Sequence, residues 1–380
     1  MSRNNKILIG LLIFSLITIS IVLYNMGTEY YKADEQRDNQ QESIKVNNKP
    51  LENPNPEPKE VVTKETITLA MLGDVLLHKR LAVYDEFMSS FEPMKSVMES
   101  YDYLIANQES PPVGNKFPVS GYPQFSSPEY IIRDLKGSGV DMINIANNHI
   151  VDKGESGVRT VFENIEQYGL PYVGAYQSEE DALTDRIIEV KGISIGIISY
   201  TYGTNGLYLP EESPFIINYI DEARIVSDIK AMKDKADVTV VHLHWGPEFT
   251  TQEAESQRQL AQAVNEAGAD ILFGTHPHVL QPYSKLTNSV GKETHVFYSL
   301  GNYFSTTITS TDSMVGGIGS LNITKEGEEI LISNPTLHAT AMLLDEDGKY
   351  RVYPLAEVEG RATQNLQWVK DVLGEGIVVQ

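Results

Sequence analysis

The chain has no cysteine and only 8 histidines among its 380 residues. Without cysteine it forms no disulfide and carries no lipoprotein anchor, so packing, and a metal where one binds, must stabilise the fold. Basic residues are scarce too: 30 Lys and Arg face 52 Asp and Glu, a net charge of −22. Nucleic-acid binding needs a basic surface and is therefore excluded. Walker loops, serine nucleophile elbows and dinucleotide fingerprints are missing, and the weak glycine cluster Gly316–Gly319 indicates a turn.

Long apolar runs are rare, and the one that stands out extends from Ile7 to Leu23. Its length is at the short end of the roughly 17–25 residues that cross a bilayer. Because Arg3 and Lys6 precede it and the first charge beyond it is acidic, the N-terminus is expected in the cytoplasm. We predict a cytoplasmic N-terminus (1–6), a single-pass transmembrane signal anchor (7–24) and an extracellular C-terminal domain. A cleaved signal peptide is the alternative.

Most of the stretch at 25–65, from residue 32 to residue 65, is rich in Asn, Gln, Glu, Lys and Pro. Such a stretch buries too little apolar surface to offset the entropy of ordering it. We therefore predict a disordered extracellular linker, which either spaces a folded domain from the membrane or is a tail without that role. The folded domain is predicted over residues 66–309, and residues 310–380 are predicted to add strands and a helix that complete the fold.

Short apolar runs alternate with amphipathic stretches from residue 66 onward. Helical spacing of apolar residues recurs over Gly157–Tyr168 and Gln257–Ala267, and a glycine follows each stretch. Strands alternating with helices of this size predict an α/β fold with largely parallel pairing. The predicted strands are Ile67–Leu72, Tyr103–Ala106, Met142–Ala146, Ile193–Tyr200, Val238–Leu243, Ile271–Gly274 and Val296–Leu300, followed by antiparallel strands at Gly316–Ile323, Ile330–Ser333, Leu337–Leu344 and Tyr350–Tyr353 and a helix at Ala362–Leu373.

Six of the eight histidines fall in four short segments. Two of these segments also contain a carboxylate or carboxamides, and each of the other two contains two histidines that are two residues apart. Each segment lies at or just past the C-terminal end of a predicted strand, where ligands bind in open α/β sheets. Imidazole, carboxylate and Asn oxygen are ligands of borderline-hard divalent metals, so we predict a site for more than one ion. The segments are Gly73–His78, Asn147–His149, His242–Gly246 and His276–His278, whereas His295 and His338 have no such setting and are interpreted as structural.

Two carboxylates follow the first two strands. Asp74 lies on a tight turn after a buried strand, which suits a metal ligand, although an ordinary Asx turn is the alternative. His78 either joins it or simply opens the next element. Glu109 ends the second strand and could bridge two cations; alternatively it is an exposed loop acid ahead of Ser110-Pro111-Pro112.

The triplet Asn147-Asn148-His149 directly follows an apolar strand. Two carboxamides and an imidazole are costly to bury there without partners. One Asn can bind a metal through its oxygen, and His149 would then point toward substrate as a general acid or charge stabiliser. Asp152 could orient that imidazole. The alternative, asparagine in left-handed turn positions, accounts for Asn147 but not for the whole triplet.

The remaining histidines come in two pairs. His242 and His244 are two residues apart on a strand and so face the same side. His244, at the strand end, is the better ligand, and His242 is then a histidine with satisfied hydrogen bonds, either directly behind the metal ligands or in the core. His276 and His278 follow the next strand and are both predicted ligands, because Pro277 fixes the backbone between them.

These segments, in this order, resemble the CapA family of capsule and poly-γ-glutamate biosynthesis proteins over about residues 66–305. That family is similar to calcineurin-like metallophosphoesterases, which implies a four-layer α/β/β/α sandwich around two metal ions. The matching residues are Gly73-Asp74, Asn107-x-Glu109, Ala146-Asn147-Asn148-His149-x-x-Asp152-x-Gly154, His244-Trp245-Gly246-x-Glu248, Gly268-Ala269-Asp270-Ile271, His276-Pro277-His278-Val279-Leu280-Gln281 and Tyr298-Ser299-Leu300-Gly301-Asn302.

The resemblance also implies roles for individual residues. Asp74 and His278 would hold the first ion, Glu109 would bridge, and His149 would be catalytic with Asp152 beside it. The second ion would be held by Asn148, His244 and His276. The chain departs from the phosphoesterase pattern where His78 follows the first aspartate by four residues instead of two, where Asn107 and Glu109 replace the second aspartate, and where Ile150 follows the Asn-His pair.

The implied function is that of a membrane-anchored extracellular protein that supports capsule or poly-γ-glutamate synthesis or export through a di-metal, hydrolase-like site. The ions would be Mn, Fe or Zn. The expected partners are the cell membrane, membrane-embedded polymer synthase subunits and the anionic polymer. Two alternatives stay open: a non-catalytic subunit of a synthase complex that binds metal and polymer, and a surface metallophosphoesterase unrelated to capsule.

Overall fold

A computed structural model of the chain describes residues 64–306 and 310–380. The predicted signal anchor (7–24) lies outside these residues, as does the predicted linker up to residue 63. Within the two described ranges, no helix combines the length and apolar character needed to cross a membrane.

The described residues form strands and helices in alternation through most of their length. The strands are β1 (Lys64–Leu76), β2 (Tyr103–Gln108), β3 (Met142–Asn144), β4 (Tyr172–Val173), β5 (Ala175–Tyr176), β6 (Ile187–Val190), β7 (Ile193–Thr201), β8 (Ile216–Ile217), β9 (Val238–His244), β10 (Ile271–Thr275), β11 (Tyr283–Thr287), β12 (Glu293–Phe297), β13 (Asn302–Ser305), β14 (Val315–Glu326), β15 (Glu329–Leu344), β16 (Tyr350–Pro354) and β17 (Val378–Val379). The helices are α1 (Met88–Phe91), α2 (Lys95–Met98), α3 (Ile131–Gly137), α4 (Gly154–Tyr168), α5 (Glu179–Ala182), α6 (Glu222–Lys233), α7 (Glu255–Ala267), α8 (Leu355–Val358) and α9 (Leu366–Leu373), with 3₁₀ turns at Glu92–Met94 and Thr311–Met314.

Two sheets hold most of the strands. The larger has the order β16-β15-β14-β1-β2-β3-β4, with β13 also pairing with β1 and β17 with β15. The neighbours β1 to β4 are parallel, whereas β14, β15 and β16 are antiparallel. The smaller sheet has the order β11-β12-β10-β9-β7-β6, and its central strands β12, β10, β9 and β7 are parallel. The predicted α/β class with parallel central pairing is confirmed.

Three clusters of buried apolar side chains pack the sheets and helices against one another. One lies between the sheets and joins side chains such as Ile67 and Met71 of β1 to Val240 of β9 and Phe273 of β10. A second packs the outer face of the larger sheet against α1, α3 and α4, and a third packs the smaller sheet against α6 and α7. Each sheet is therefore buried on both faces, which explains why its strands are runs of apolar residues instead of alternating ones.

The C-terminal part differs from the prediction at Gly316–Gly319, which lies inside β14 and is not a turn. Glycine is required there for close packing, since a Cβ on Gly316 would lie 2.0 Å from the carbonyl oxygen of Asn302. The two strands predicted between Ile330 and Leu344 are one strand, β15, whose register with β14 shifts near Ser320. The closing helix starts later than predicted, because Asn365 caps it by accepting a hydrogen bond from the Trp368 backbone.

Candidate metal centre

Polar side chains meet where the carboxyl ends of parallel strands from both sheets converge. In the larger sheet, Asp74 lies near the carboxyl end of β1, inside the strand and not on the turn predicted after it, and Glu109 directly follows β2. In the smaller sheet, His244 is the last residue of β9 and His276 directly follows β10. The backbone N–H of His276 donates to Oδ2 of Asp74 at 3.3 Å, a contact that joins the sheets across 202 residues of sequence. The structure therefore brings the separate sequence segments into one buried place.

The ligand atoms of Glu109, His276 and His278 lie within 4.8 Å of one another, and all three side chains are buried. Neither carboxylate oxygen of Glu109 has a hydrogen-bond partner, and neither has Nδ1 of His276. Buried polar atoms are nearly always satisfied, so these atoms without a protein partner indicate a site that binds a ligand. A nitrogen and oxygen donor set of this kind fits a divalent transition metal. The residues therefore fit the ion that the resemblance implies.

Backbone strain is concentrated at the same two histidines. His276 and His278 both adopt positive φ, 98° and 59°, which side chains other than glycine rarely do. Such conformations cost on the order of 1–3 kcal/mol each and persist where the surroundings enforce them. Pro277 lies between them, so the backbone holds both imidazoles in positions that an unstrained loop would not adopt.

Asp74 and His278 form a buried pair, with Oδ2 of the carboxylate 3.1 Å from Nδ1 of the imidazole. Burial alone raises the pKa of Asp74, but the hydrogen bond and charge of His278 outweigh burial, so this pKa lies below its ordinary value. Burial lowers the pKa of His278, but the charges of Glu109 and Asp74 outweigh it and raise this pKa to about 10. Asn302 also accepts from the same Nδ1 at 3.0 Å. Without an ion, the pair is therefore a salt bridge.

Glu109 is fully buried between the other groups. Its Oε1 atom lies 3.5 Å from Nε2 of His244 and 3.8 Å from Nε2 of His278. Burial and the nearby charge of Asp74 raise the pKa of this carboxyl to about 8. The position between the two imidazoles agrees with the bridging role implied for Glu109, and the alternative of an exposed loop acid does not fit its burial.

Asn148 and His244 lie together on the other side of Glu109. Oδ1 of Asn148 is 3.0 Å from Nε2 of His244, whose Nδ1 is held by the hydroxyl of Thr275 at 2.9 Å. Burial lowers the pKa of His244 to about 3 and holds that of His276 well below its ordinary value. Both imidazoles are therefore neutral, which is the form that binds a metal.

His149 and Asp152 form a second pair beside this group. Nδ1 of His149 lies 2.7 Å from Oδ2 of Asp152, and that oxygen also accepts from the Phe125 backbone at 2.7 Å. The ring of Phe125 contacts the imidazole edge-on at 4.6 Å between centroids. Asn147 fixes the loop, because its side chain accepts from the His149 backbone and donates to the carbonyl of Gln108. The left-handed turn considered for Asn147 is wrong, since its φ is not positive.

Other predicted residues have supporting positions. His242 is bonded at both ring nitrogens, to Ser199 at 2.9 Å and Thr275 at 2.8 Å, as expected of a core histidine. Asn107 donates to Asp74 at 2.7 Å and accepts from Asn144 at 2.7 Å. His78 is partly buried, and its ring contacts that of Phe125 with 5.1 Å between the ring centroids.

Several residues of the centre were not found from the sequence. Tyr202 is 47% exposed and its ring lies 4.6 Å from that of His276, so it forms a wall of the site. Thr275 hydrogen-bonds two histidines at once, and Asn205 lies 3.4 Å from the amide of Asn148. Tyr202 directly follows β7, and this position after a strand could have marked it in the sequence as a residue of the site. A single hydroxyl such as that of Thr275 gives no such signal.

Comparison with known proteins identifies the family. The sequence model described as bacterial capsule synthesis protein PGA_cap matches residues 68–307. The chain belongs to this family. It is 28% identical over 250 residues to the capsule biosynthesis protein CapA of Bacillus anthracis, which covers 63% of this chain and 60% of that protein. It is 29% identical over 250 residues to the PGA biosynthesis protein CapA of Bacillus subtilis (strain 168), covering 63% of each.

The chain thus spans about 60% of the length of these curated relatives. Among solved structures, the NAD nucleotidase NadN of Haemophilus influenzae matches with a TM-score of 0.50 and 14% identity, over 84% of this chain and 64% of that one. At this identity the likeness concerns the fold alone. The predicted membership of the CapA family is confirmed.

Proposed function

We propose that this chain supports the synthesis or export of an anionic surface polymer, with poly-γ-glutamate as the first candidate, through a metal-dependent, hydrolase-like site. The observation that carries the proposal is the buried group of Glu109, His276 and His278, in which Glu109 and His276 present unpartnered ligand atoms. Membership of a capsule synthesis family supports the polymer as the object of that chemistry. The PGA biosynthesis relative supports its identity.

The residues suit two divalent ions, of Mn, Fe or Zn. When bound, such ions polarise a carbonyl or phosphoryl oxygen of the substrate and stabilise the charge that develops on it. The carboxylate of Glu109 lies between the imidazoles of both groups and would hold the ions together. Asp74 and His278 would hold the first ion, and Asn148, His244 and His276 the second.

His149 supplies proton transfer in this proposal. Asp152 fixes the imidazole through Nδ1, which leaves Nε2 to protonate a leaving group or stabilise developing charge. The ring of Phe125 covers one edge of the imidazole and keeps water from that edge. An oriented imidazole of this kind contributes typically 10²–10⁴-fold to a rate.

The proposed setting is the outer face of the cell membrane. The apolar run at 7–24 would act as a single-pass signal anchor, and the domain from residue 64 onward would be extracellular. In that setting, membrane-embedded polymer synthase subunits are the expected partners. The anionic polymer would reach the metal centre as it leaves the synthase.

Metal content tests the proposal most directly. The purified full-length chain, wild type and His276→Ala, is analysed by inductively coupled plasma mass spectrometry, with His338→Ala as the control for losing an imidazole elsewhere. We expect close to two ions per chain in wild type and control, and a loss in His276→Ala. A wild-type chain that is folded and takes up neither Mn nor Zn would rule out the metal centre.

A non-catalytic role in a synthase complex is the second candidate, favoured by the position of His78. This histidine follows Asp74 by four residues instead of two, and its ring packs against that of Phe125, so the first phosphoesterase motif is altered here. Complementation of a deletion strain separates the candidates. If His149→Ala restores polymer as fully as wild type, the site binds without turnover, whereas loss of polymer at unchanged metal content supports catalysis.

A further inference from the structure

Tyr202 is linked to all three residues that would hold the second ion. Its ring lies 4.6 Å from that of His276 and 6.4 Å from that of His244, measured between ring centroids. Its hydroxyl donates to Oδ1 of Asn205 at 3.2 Å, and the same oxygen accepts from Nδ2 of Asn148 at 3.4 Å. Burial raises the pKa of Tyr202, although a hydrogen bond with Asn148 lowers it in part, so the hydroxyl keeps its proton at neutral pH and can donate.

The amide of Asn148 can bind a metal ion only through its oxygen. The two ends of a carboxamide have nearly the same shape, and rotation about the last side-chain torsion exchanges them, but the nitrogen end only donates hydrogen bonds. In the structure Oδ1 of Asn148 faces Nε2 of His244 at 3.0 Å, whereas Nδ2 faces Oδ1 of Asn205. An acceptor on the nitrogen side therefore favours the orientation in which the oxygen is turned toward the ligand group.

The loop that carries Tyr202 and Asn205 is fixed by its own backbone. The N–H of Tyr202 donates to the carbonyl of His244 at 3.0 Å, which ties the loop after β7 to the end of β9. Asn205 and Gly206 both have positive φ, 53° and 75°, as in the tight turns that favour the Asn-Gly sequence. A backbone hydrogen bond of 2.9 Å closes that turn. The loop thus holds the side chain of Asn205 where it meets Asn148.

We propose that Tyr202 and Asn205 are positioning residues that hold the amide of Asn148 with its oxygen toward the second ion and thereby set the affinity for that ion. Residues that orient a metal ligand typically contribute 10–100-fold to metal affinity. The first ion would be much less affected, because Asp74 and His278 hold each other at 3.1 Å. The inference rests on the proposed function, since it takes the two ions from there, but it concerns metal binding and requires no turnover.

Titration of the purified, metal-free full-length chain with Mn²⁺ tests this role. Electron paramagnetic resonance measures free Mn²⁺, so that a dissociation constant is obtained for each binding step. Tyr202→Phe removes the hydroxyl but keeps the ring against His276, and Asn205→Gly removes the amide while glycine accepts the positive φ. The control is Tyr208→Phe, which removes a hydroxyl from an exposed tyrosine of the same loop. Each variant is also made in an Asn148→Ala background, and circular dichroism checks every fold.

We expect Tyr202→Phe and Asn205→Gly each to weaken the second Mn²⁺ step by about 10-fold to 100-fold, with the first step and the Tyr208→Phe control unchanged. In the Asn148→Ala background neither substitution should weaken binding further, because the amide that they orient is gone.

Three results would overturn the inference while the metal centre stands: an unchanged second step in either variant, equal weakening of both steps, or a further loss in the Asn148→Ala background. A wild-type chain that binds a single Mn²⁺ ion would overturn it as well, since no second ion exists to be held. A wild-type chain that binds none would overturn both the inference and the metal centre of the proposed function.

Discussion

Nδ1 of His149 lies 2.7 Å from Oδ2 of Asp152, three residues later in the same loop. The same oxygen accepts the backbone N–H of Phe125. One carboxylate oxygen therefore orients the imidazole and anchors the neighbouring loop. In the proposed function, Asp152 would thereby take the place of the acid that the implied phosphoesterase pattern has at the position occupied here by Ile150.

The pair gives the first prediction. Asp152→Asn keeps an oxygen for both donors but removes the charge that stabilises a protonated His149, so polymer output of a complemented deletion strain should fall about 100-fold. Metal content should be unchanged, because Asp152 contacts the imidazole and not the ligand group. Polymer is quantified per cell, with protein level measured in parallel. Full output from Asp152→Asn would contradict a proton-transfer role for His149.

Substitution of Glu109 is expected to change thermal stability and metal binding in opposite directions. Glu109→Gln should unfold in EDTA at a temperature equal to or above that of wild type, because burial and the charge of Asp74 raise the pKa of Glu109 to about 8, so its ionised form destabilises the fold and the amide cannot ionise. Added Mn should raise the melting temperature of wild type much more than that of the variant, since stabilisation follows metal affinity. Differential scanning calorimetry with and without Mn measures both. Equal Mn-induced shifts would show that Glu109 does not bind the ion.

Matched substitutions of His242 and His244 distinguish a core histidine from a metal ligand. His242→Ala breaks hydrogen bonds to Ser199 and Thr275 in a buried place and should lower the free energy of unfolding by about 2–4 kcal/mol while metal content is retained. His244→Ala should lose metal. Urea unfolding and metal analysis of the same preparations test both statements. The assignment is wrong if His242→Ala loses as much metal as His244→Ala.

The ion pair of Asp237 and Lys325 gives a pH-dependent prediction. It links the loop before β9 to β14, so it ties the two sheets together, with Nζ 2.7 Å and 2.8 Å from the two carboxylate oxygens. Burial raises the pKa of Asp237, but hydrogen bonds from Lys325 and Ser194 outweigh burial and the pKa lies below its ordinary value. The stabilisation is therefore present above the unfolded pKa of about 3.9 and disappears as pH falls through the lower folded value.

Asp237→Asn should accordingly cost about 1 kcal/mol of unfolding free energy at pH 7 and progressively less below pH 4. Asp185→Asn is the control, because Asp185 pairs with Lys235 at an exposed position between two loops that both lead into the smaller sheet. Its effect should stay within about 0.5 kcal/mol. Chemical denaturation between pH 3 and 7 provides the measurement. A cost at pH 3 as large as at pH 7 would exclude an electrostatic origin.

The sequence predicted the parts of the fold that repeat simple patterns. Strands buried on both faces, such as β9 and β10, are continuous apolar runs, and α4 and α7 show helical spacing ended by Gly169 and Gly268 in the left-handed conformation. The ligand segments were found because each follows such a strand. The rule that parallel strands end at one edge places the segments of each sheet together, whereas the meeting of the two sheets was implied only by the family resemblance.

The rest depends on contacts between distant residues, which a single sequence does not encode locally. In the sequence, the glycine cluster Gly316–Gly319 resembles a turn. The structure shows that Gly316 needs to be glycine because the backbone of Asn302 passes close to it. α6 has a weak apolar periodicity and was missed, although Asp221 caps its start by accepting from the Arg224 backbone. Thr275 is visible as a site residue only when β9 and β10 are placed side by side.

The centre is shared between two sheets, and this fixes the order of assembly. Asp74 and Glu109 come from the larger sheet, and the histidines from the smaller one, more than 130 residues later in the chain. Neither sheet alone presents a complete set of ligands. If the proposed function holds, a growing or partly folded chain would lack the full set of ligands, and an ion would be captured only after both sheets have formed. An ion held between the sheets would then cross-link them, so that loss of metal would loosen the packing of the whole domain.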